Sequence, residues 1–144
     1  MNKIKKAIQR AKKGYCDEDL WDIGYWFLNT VPKMLDEFAN QTIGFPGYFL
    51  TDGEDEDVAF EKWKNIIKEI SFHFKEGLEP TKEINECYCP IHDTIEDIVR
   101  EFNEEEQKQF DKWAAREDEI EKYKEQEIKK GFEMFNEYFQ NLWW

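Results

Sequence analysis

The sequence predicts an all-α protein, a bundle of four to five helices whose C-terminal helix is long and charged. Apolar side chains recur at helical spacing through most of the chain. The last 50 residues contain no proline, and seven glycines and four prolines are too few for a turn-dense all-β design. At 144 residues the chain suits a single helical domain spanning 1–144.

The first helix is expected over 2–13. Ile4, Ala7, Ile8 and Ala11 fall on one stripe, lysines and an arginine surround it, and Gly14-Tyr15 breaks it. The second is expected from about Asp17 to Asn40. Asp17, Glu18 and Asp19 would occupy its first turn, where the helix dipole favours negative charge. Leu20, Ile23, Phe27, Val31, Leu35 and Phe38 form one apolar stripe. Trp21, Tyr25 and Leu28 form a second beside it, which predicts a helix central to the core. Pro32 lies mid-pattern and predicts a kink.

Residues 41–57 read as a loop, with turn chemistry at Gly44-Phe45-Pro46-Gly47 and at Asp52-Gly53. The third helix is expected from about Glu56 to Lys75. It carries Ala59, Phe60, Trp63, Ile66, Ile67, Ile70 and Phe74 at helical spacing and is ended by Gly77 and Pro80. An irregular stretch, 77–92, follows. Ile95, Ile98, Val99 and Phe102 form a further stripe. Residues 103–130 then hold 17 charges in 28 positions, a helix laced with ion pairs and free either to protrude or to pair with a second copy. Gly131 predicts a break before the apolar ending Phe132, Phe135, Tyr138, Phe139, Leu142 and Trp143.

Charge is unevenly placed. Residues 1–14 carry six basic side chains and no acid, so the remaining 130 residues sum to −19. A body of that sign repels phosphate backbones, which opposes general nucleic-acid binding, and is drawn to basic protein surfaces. The basic segment 1–13 can clasp the acidic body, touch nucleic acid or lie on a membrane surface. Its small apolar face argues against the membrane, and docking within the chain or in a homodimer fits it best. No apolar run approaches the ~18 residues of a membrane span, and no signal-peptide core follows the N-terminus. With three cysteines, Cys16, Cys87 and Cys89, the expected setting is a reducing cytoplasm.

The string Gly14-Tyr15-Cys16-Asp17-Glu18-Asp19-Leu20-Trp21-Asp22 resembles the opening of a group of small acidic bacteriophage proteins that read GYSDEDLWDLD. Val31-Pro32-Lys33, the turn Gly44-Phe45-Pro46-Gly47, Trp63 on an amphipathic helix and the ending from Gly131 to Trp144 are also similar. The resemblance covers residues 14–75 and 131–144, with Cys16 standing where the group usually has a small hydroxyl residue. It implies a phage genome and expression in the host cytoplasm. The group has no assigned activity, so it implies no catalytic residue.

Several constellations invite chemistry. Cys87-x-Cys89-x-x-His92, with His73 or Cys16 as a fourth ligand, is a candidate zinc site, although the paired CxxC knuckles of structural zinc sites are missing. Asp52 to Asp57 does not make a calcium loop, because the sixth and twelfth positions, Asp57 and Trp63, are not the glycine and glutamate it needs. Phosphate-binding, nucleophile-elbow and dinucleotide motifs are absent from the sequence, which predicts a non-enzyme without a resident cofactor.

The partner-binding candidates are three acidic groups and three indoles: Glu54, Asp55, Glu56 and Asp57; Glu104, Glu105 and Glu106; Glu117, Asp118 and Glu119; and Trp113, Trp143 and Trp144. The two terminal indoles either dock into the protein's own core or anchor an interface. The expected partner is a basic or nucleic-acid-binding host protein, engaged by acids that stand in for DNA phosphates, as in an inhibitor of host defence. The alternative is a self-assembling or virion-associated structural protein. A metal-binding nucleic-acid accessory factor, using residues 1–13 and the Cys87 loop, is a third reading.

Overall fold

A computed structural model describes residues 2–50, 53–91 and 100–143. Among them lie four α-helices and no strand: α1 (Lys3–Lys13), α2 (Ile23–Gln41), α3 (Glu56–Leu78) and α4 (Glu104–Tyr138). Short 3-10 turns cover Asp17–Leu20, Gly47–Phe49 and Phe139–Asn141. The chain is all-α with a long charged C-terminal helix, as its periodicity predicts. The predicted stripe at Ile95, Ile98 and Val99 lies outside the described residues.

The helix boundaries follow local chemistry. Gly14 closes α1 with φ +82°, and its N–H donates to the Arg10 carbonyl at 2.9 Å. A residue with a Cβ is strained there. The second helix starts later than expected. Asp17–Leu20 form a separate turn, and Asp22 caps α2 by accepting from the Tyr25 N–H at 2.8 Å. The cations of α1, rather than a helix dipole, neutralise the acids of that turn.

α3 also runs past its expected end. Gly77 lies inside its last turn, buried, and the helix closes at Leu78. Gly131 does not break α4, which runs unbroken for 35 residues. Both glycines mark the crossing of α3 and α4. A Cβ on Gly77 would stand 2.3 Å from Ile128 Cγ1, and one on Gly131 would stand 2.8 Å from two ring carbons of Phe74. The sequence pattern reads them as stops because glycine disfavours helices. Here it permits two helices to approach closely.

α3, not α2, is the central element. It packs against both α2 and α4, and its Trp63, Ile67, Ile70 and Phe74 are essentially inaccessible to solvent. Phe27 of α2 and Phe132 and Phe135 of α4 surround Phe74 with ring centroids 5.0–5.9 Å away. Leu35, Ala39 and Phe49 complete this core, and Ser71 Oγ donates to the Pro32 carbonyl at 2.9 Å. The apolar residues of the second helix pattern before Phe27 overhang the bundle: Leu20, Trp21, Ile23 and Tyr25 are exposed, Trp21 to 91%.

α4 is antiparallel to α3. Tyr138 packs on Trp63, Gly131 on Phe74 and Ile128 on Gly77. The part of α4 before about residue 120 therefore extends past the end of α3. That narrows the predicted protrusion from 103–130 to the first half of α4, since Ile120 and Glu127 are buried. The strap 79–85 supports this arm. Asn85 Nδ2 donates to the Trp113 carbonyl at 3.1 Å and to Glu117 at 2.7 Å, while Arg116 pairs with Glu83.

Candidate interaction surface

The Asp17–Leu20 turn organises the N-terminal end. Cys16 is fully buried and takes the place of a capping hydroxyl. Its sulfur accepts from the Asp19 N–H, and the Asp19 carboxylate accepts from the Cys16 N–H at 2.7 Å. α1 docks on this turn through charge. Arg10 forks onto Asp19 at 2.7 and 3.2 Å, Lys13 reaches Asp17 at 3.2 Å, and Lys6 pairs with Glu18. Arg10 and the Cys16 N–H hold the Asp19 carboxyl well below the usual carboxylate range. Gln9 and Lys13 lower Asp17, and Lys6 lowers Glu18. The basic segment thus clasps the acids that follow it in sequence.

The acidic candidates fall at opposite ends of the bundle. Glu54 to Asp57 lie at the start of α3, beside the end of α4, whereas Glu104 to Glu106 lie at the start of α4, beyond the end of α3. At ~1.5 Å per residue the two groups are about 65 Å apart along the bundle. Several of these acids also serve the fold. Asp55 caps α3 by accepting from the Asp57 N–H at 2.9 Å, and Glu106 closes the capping box of α4 with Asn103. Glu117 accepts from Asn85, and Glu119 pairs with Arg116. Glu56, Asp57, Glu104, Glu105 and Asp118 project into solvent. The arm of α4 therefore carries two of the acidic groups on one rigid rod, and the third stands apart.

Trp113 is half-buried, its ring 5.8 Å from Phe110, which in turn lies 5.5 Å from Phe102. At the other end, of the two readings of the terminal indoles, docking into the core does not hold for Trp143. It is 72% exposed, while Leu142 packs against the core. Trp143, Trp63 and Ile43–Pro46 line a small cleft of about 130 Å³, and the Tyr48 hydroxyl donates to Asn141 at 3.1 Å beside it. Trp144 lies outside the described residues.

Two buried carboxylates escaped the sequence reading. Glu76, 1% exposed, accepts from the Thr81 N–H at 2.9 Å, the Lys82 N–H at 3.3 Å, the Tyr123 hydroxyl at 2.8 Å and the Thr81 hydroxyl. Burial opposes its ionisation, but these donors outweigh burial and lower its pKa. Burial and the Glu76 carboxylate push the Tyr123 phenol up. Glu127, 4% exposed, faces His73 and accepts from Lys130 at 2.7 Å, and these partners likewise overcome burial. Both carboxyls are held ionised, whereas a general acid at neutral pH needs its pKa raised. Nothing in the sequence marks them, because a Glu beside a helix end, like Glu76, or within a densely charged helical stretch, like Glu127, reads as solvated.

Of the zinc candidates, Cys87 is exposed, Cys89 is half-buried and His73 is engaged with Glu127 and Glu69. His92 lies outside the described residues. No group of three His, Cys, Asp or Glu side chains among the described residues is arranged to hold a metal ion. No described helix is long and apolar enough to cross a membrane. Neither a protein-family model, nor a curated protein, nor a solved structure matches this chain.

Proposed function

We propose that this is a phage-encoded binding protein that acts in the host cytoplasm by protein–protein contact, without catalysis. On this reading its acidic helices engage a basic host protein, a DNA-binding or defence factor, in place of DNA. The observation that carries the reading is the arm of α4. A rod braced by the 79–85 strap holds Glu104, Glu105 and Asp118 in solvent on a body of charge −19. Such a rod presents acids at fixed spacing with little ordering cost on binding. The resemblance of residues 14–75 and 131–144 to small acidic phage proteins supports the setting.

The test is capture of partners from bacterial lysate at low and high salt, with duplex DNA as competitor. The expected result is salt-sensitive capture of a DNA-binding protein that DNA displaces. A variant carrying E104K, E105K and D118K should lose it while its circular dichroism is unchanged. Capture that persists in this variant, or that DNA does not compete, overturns the reading.

A further inference from the structure

α1 is attached to the body by its polar side. Ile4, Ala7, Ile8 and Ala11 form its apolar stripe. Lys6, Gln9, Arg10 and Lys13, which bond to the Asp17–Leu20 turn, lie on the opposite side, roughly 160° around the helix at 3.6 residues per turn. α1 buries no residue, and Ile4 and Ile8 are 67% and 50% exposed. The ion pairs therefore hold the stripe outward, against the ordinary preference of an amphipathic helix to bury it. Lys3, Lys5 and Lys12 flank the stripe and make no ion pair among the described residues.

A complementary surface exists on the same molecule, out of α1's own reach. On the outer side of α3, Val58 and Ile66 are the apolar members of a shallow groove that also takes in Asp57, Glu61 and Glu69, three acids against the single cation Lys62. α1 is tied to the turn that precedes α2, whose Phe27 meets Phe74, and Arg10 lines a cleft with α2 residues as far as Glu37, whereas the groove lies on the first half of α3. Val58 is about 24 Å along α3 from Phe74 at ~1.5 Å per residue. With α1 locked to its own turn, only another molecule can bring this helix to the groove.

We propose that the occupant is a second copy of this chain. α1 of each protomer lies in the α3 groove of the other, with Lys3, Lys5 and Lys12 facing Asp57, Glu61 and Glu69. Stripe and groove on one chain suit a two-fold pair, in which both contacts form at once. One short helix buries too little for a stable complex. Two reciprocal contacts bury twice the area of one, and specific interfaces need roughly 1,200 Å².

Sedimentation velocity of the full chain, from micromolar to submillimolar at physiological ionic strength, tests the proposal. A concentration-dependent dimer is expected. I4E/I8E should weaken it by about tenfold or more, given the apolar burial lost. K5E/K12E and E61K/E69K should each weaken it too, and mixing these two variants should restore a dimer, because both contacts of the mixed pair are then of opposite charge. α1 buries nothing, so its variants leave the core intact, and circular dichroism checks this for all. A monomer at every concentration overturns the proposal. If that monomer binds phosphatidylglycerol vesicles, a lipid surface is the occupant instead. A dimer indifferent to both I4E/I8E and the charge exchange also overturns it.

Discussion

Gly131 and Glu76 show how much a single side chain's meaning depends on what lies across from it. Phe74 is caged by three phenylalanine rings and cannot retreat from a new methyl group. Gly131→Ala should therefore cost stability on the order of 1–2 kcal/mol in urea unfolding, although alanine is the better helix former by about 1 kcal/mol. Gly44→Ala, where a Cβ would meet nothing within 4 Å, is the control and should be close to neutral. At Glu76 and Glu127 the expected response is to acid. Their folded pKa values lie below the ordinary 4.5, so their contribution is full above that value and is lost as pH falls through the lowered ones. The melting temperature should drop in that acid window. Glu76→Gln should melt lower at neutral pH, where it mismatches the donors around it, and show a shallower acid decline.

The helices divide into those that build the core and one that does not. α2, α3 and α4 interlock through the rings around Phe74 and Trp63, whereas α1 is held to the next turn by ion pairs and by the Gln9 hydrogen bonds to Asp17. Exposed ion pairs contribute little to global stability. Removing residues 1–14 should accordingly change the unfolding free energy of dilute protein by no more than about 1 kcal/mol. Thermal melts of the truncated and full chains check this, and a collapse of the fold would show that α1 supports the core after all. Most elements were legible in advance, because the helical period of Trp63, Ile67, Ile70 and Phe74 is a local property of the chain. The start of α2 was misplaced because three acids before an apolar stripe resemble a helix N-terminus. Only the cations of α1, folded back over them, reveal a separate turn.

Across the whole molecule, the antiparallel overlap of α3 with the second half of α4 leaves an elongated shape. α4 alone is about 52 Å long at 1.5 Å per residue. A compact chain of this length has a radius of gyration of about 14.5 Å. Small-angle scattering of the monomer should give a clearly larger value, and a compact one would contradict the projecting arm. The same geometry bears on the acidic candidates. Glu54–Asp57 and Glu104–Glu106 are separated by the bundle's length, so a partner bound through the arm leaves the start of α3 free.

Composition and periodicity alone established the all-α class, the apolar stripes and the −19 body behind a basic N-terminal segment, because each is a property of near neighbours or of simple counting. The order of the layers, the crossing at Gly77 and Gly131, the buried bonds of Glu76 and the outward stripe of α1 were settled only by packing. An amphipathic pattern states which side of a helix is apolar. It does not say which neighbour, if any, covers that side, since the answer depends on contacts between residues far apart in the chain.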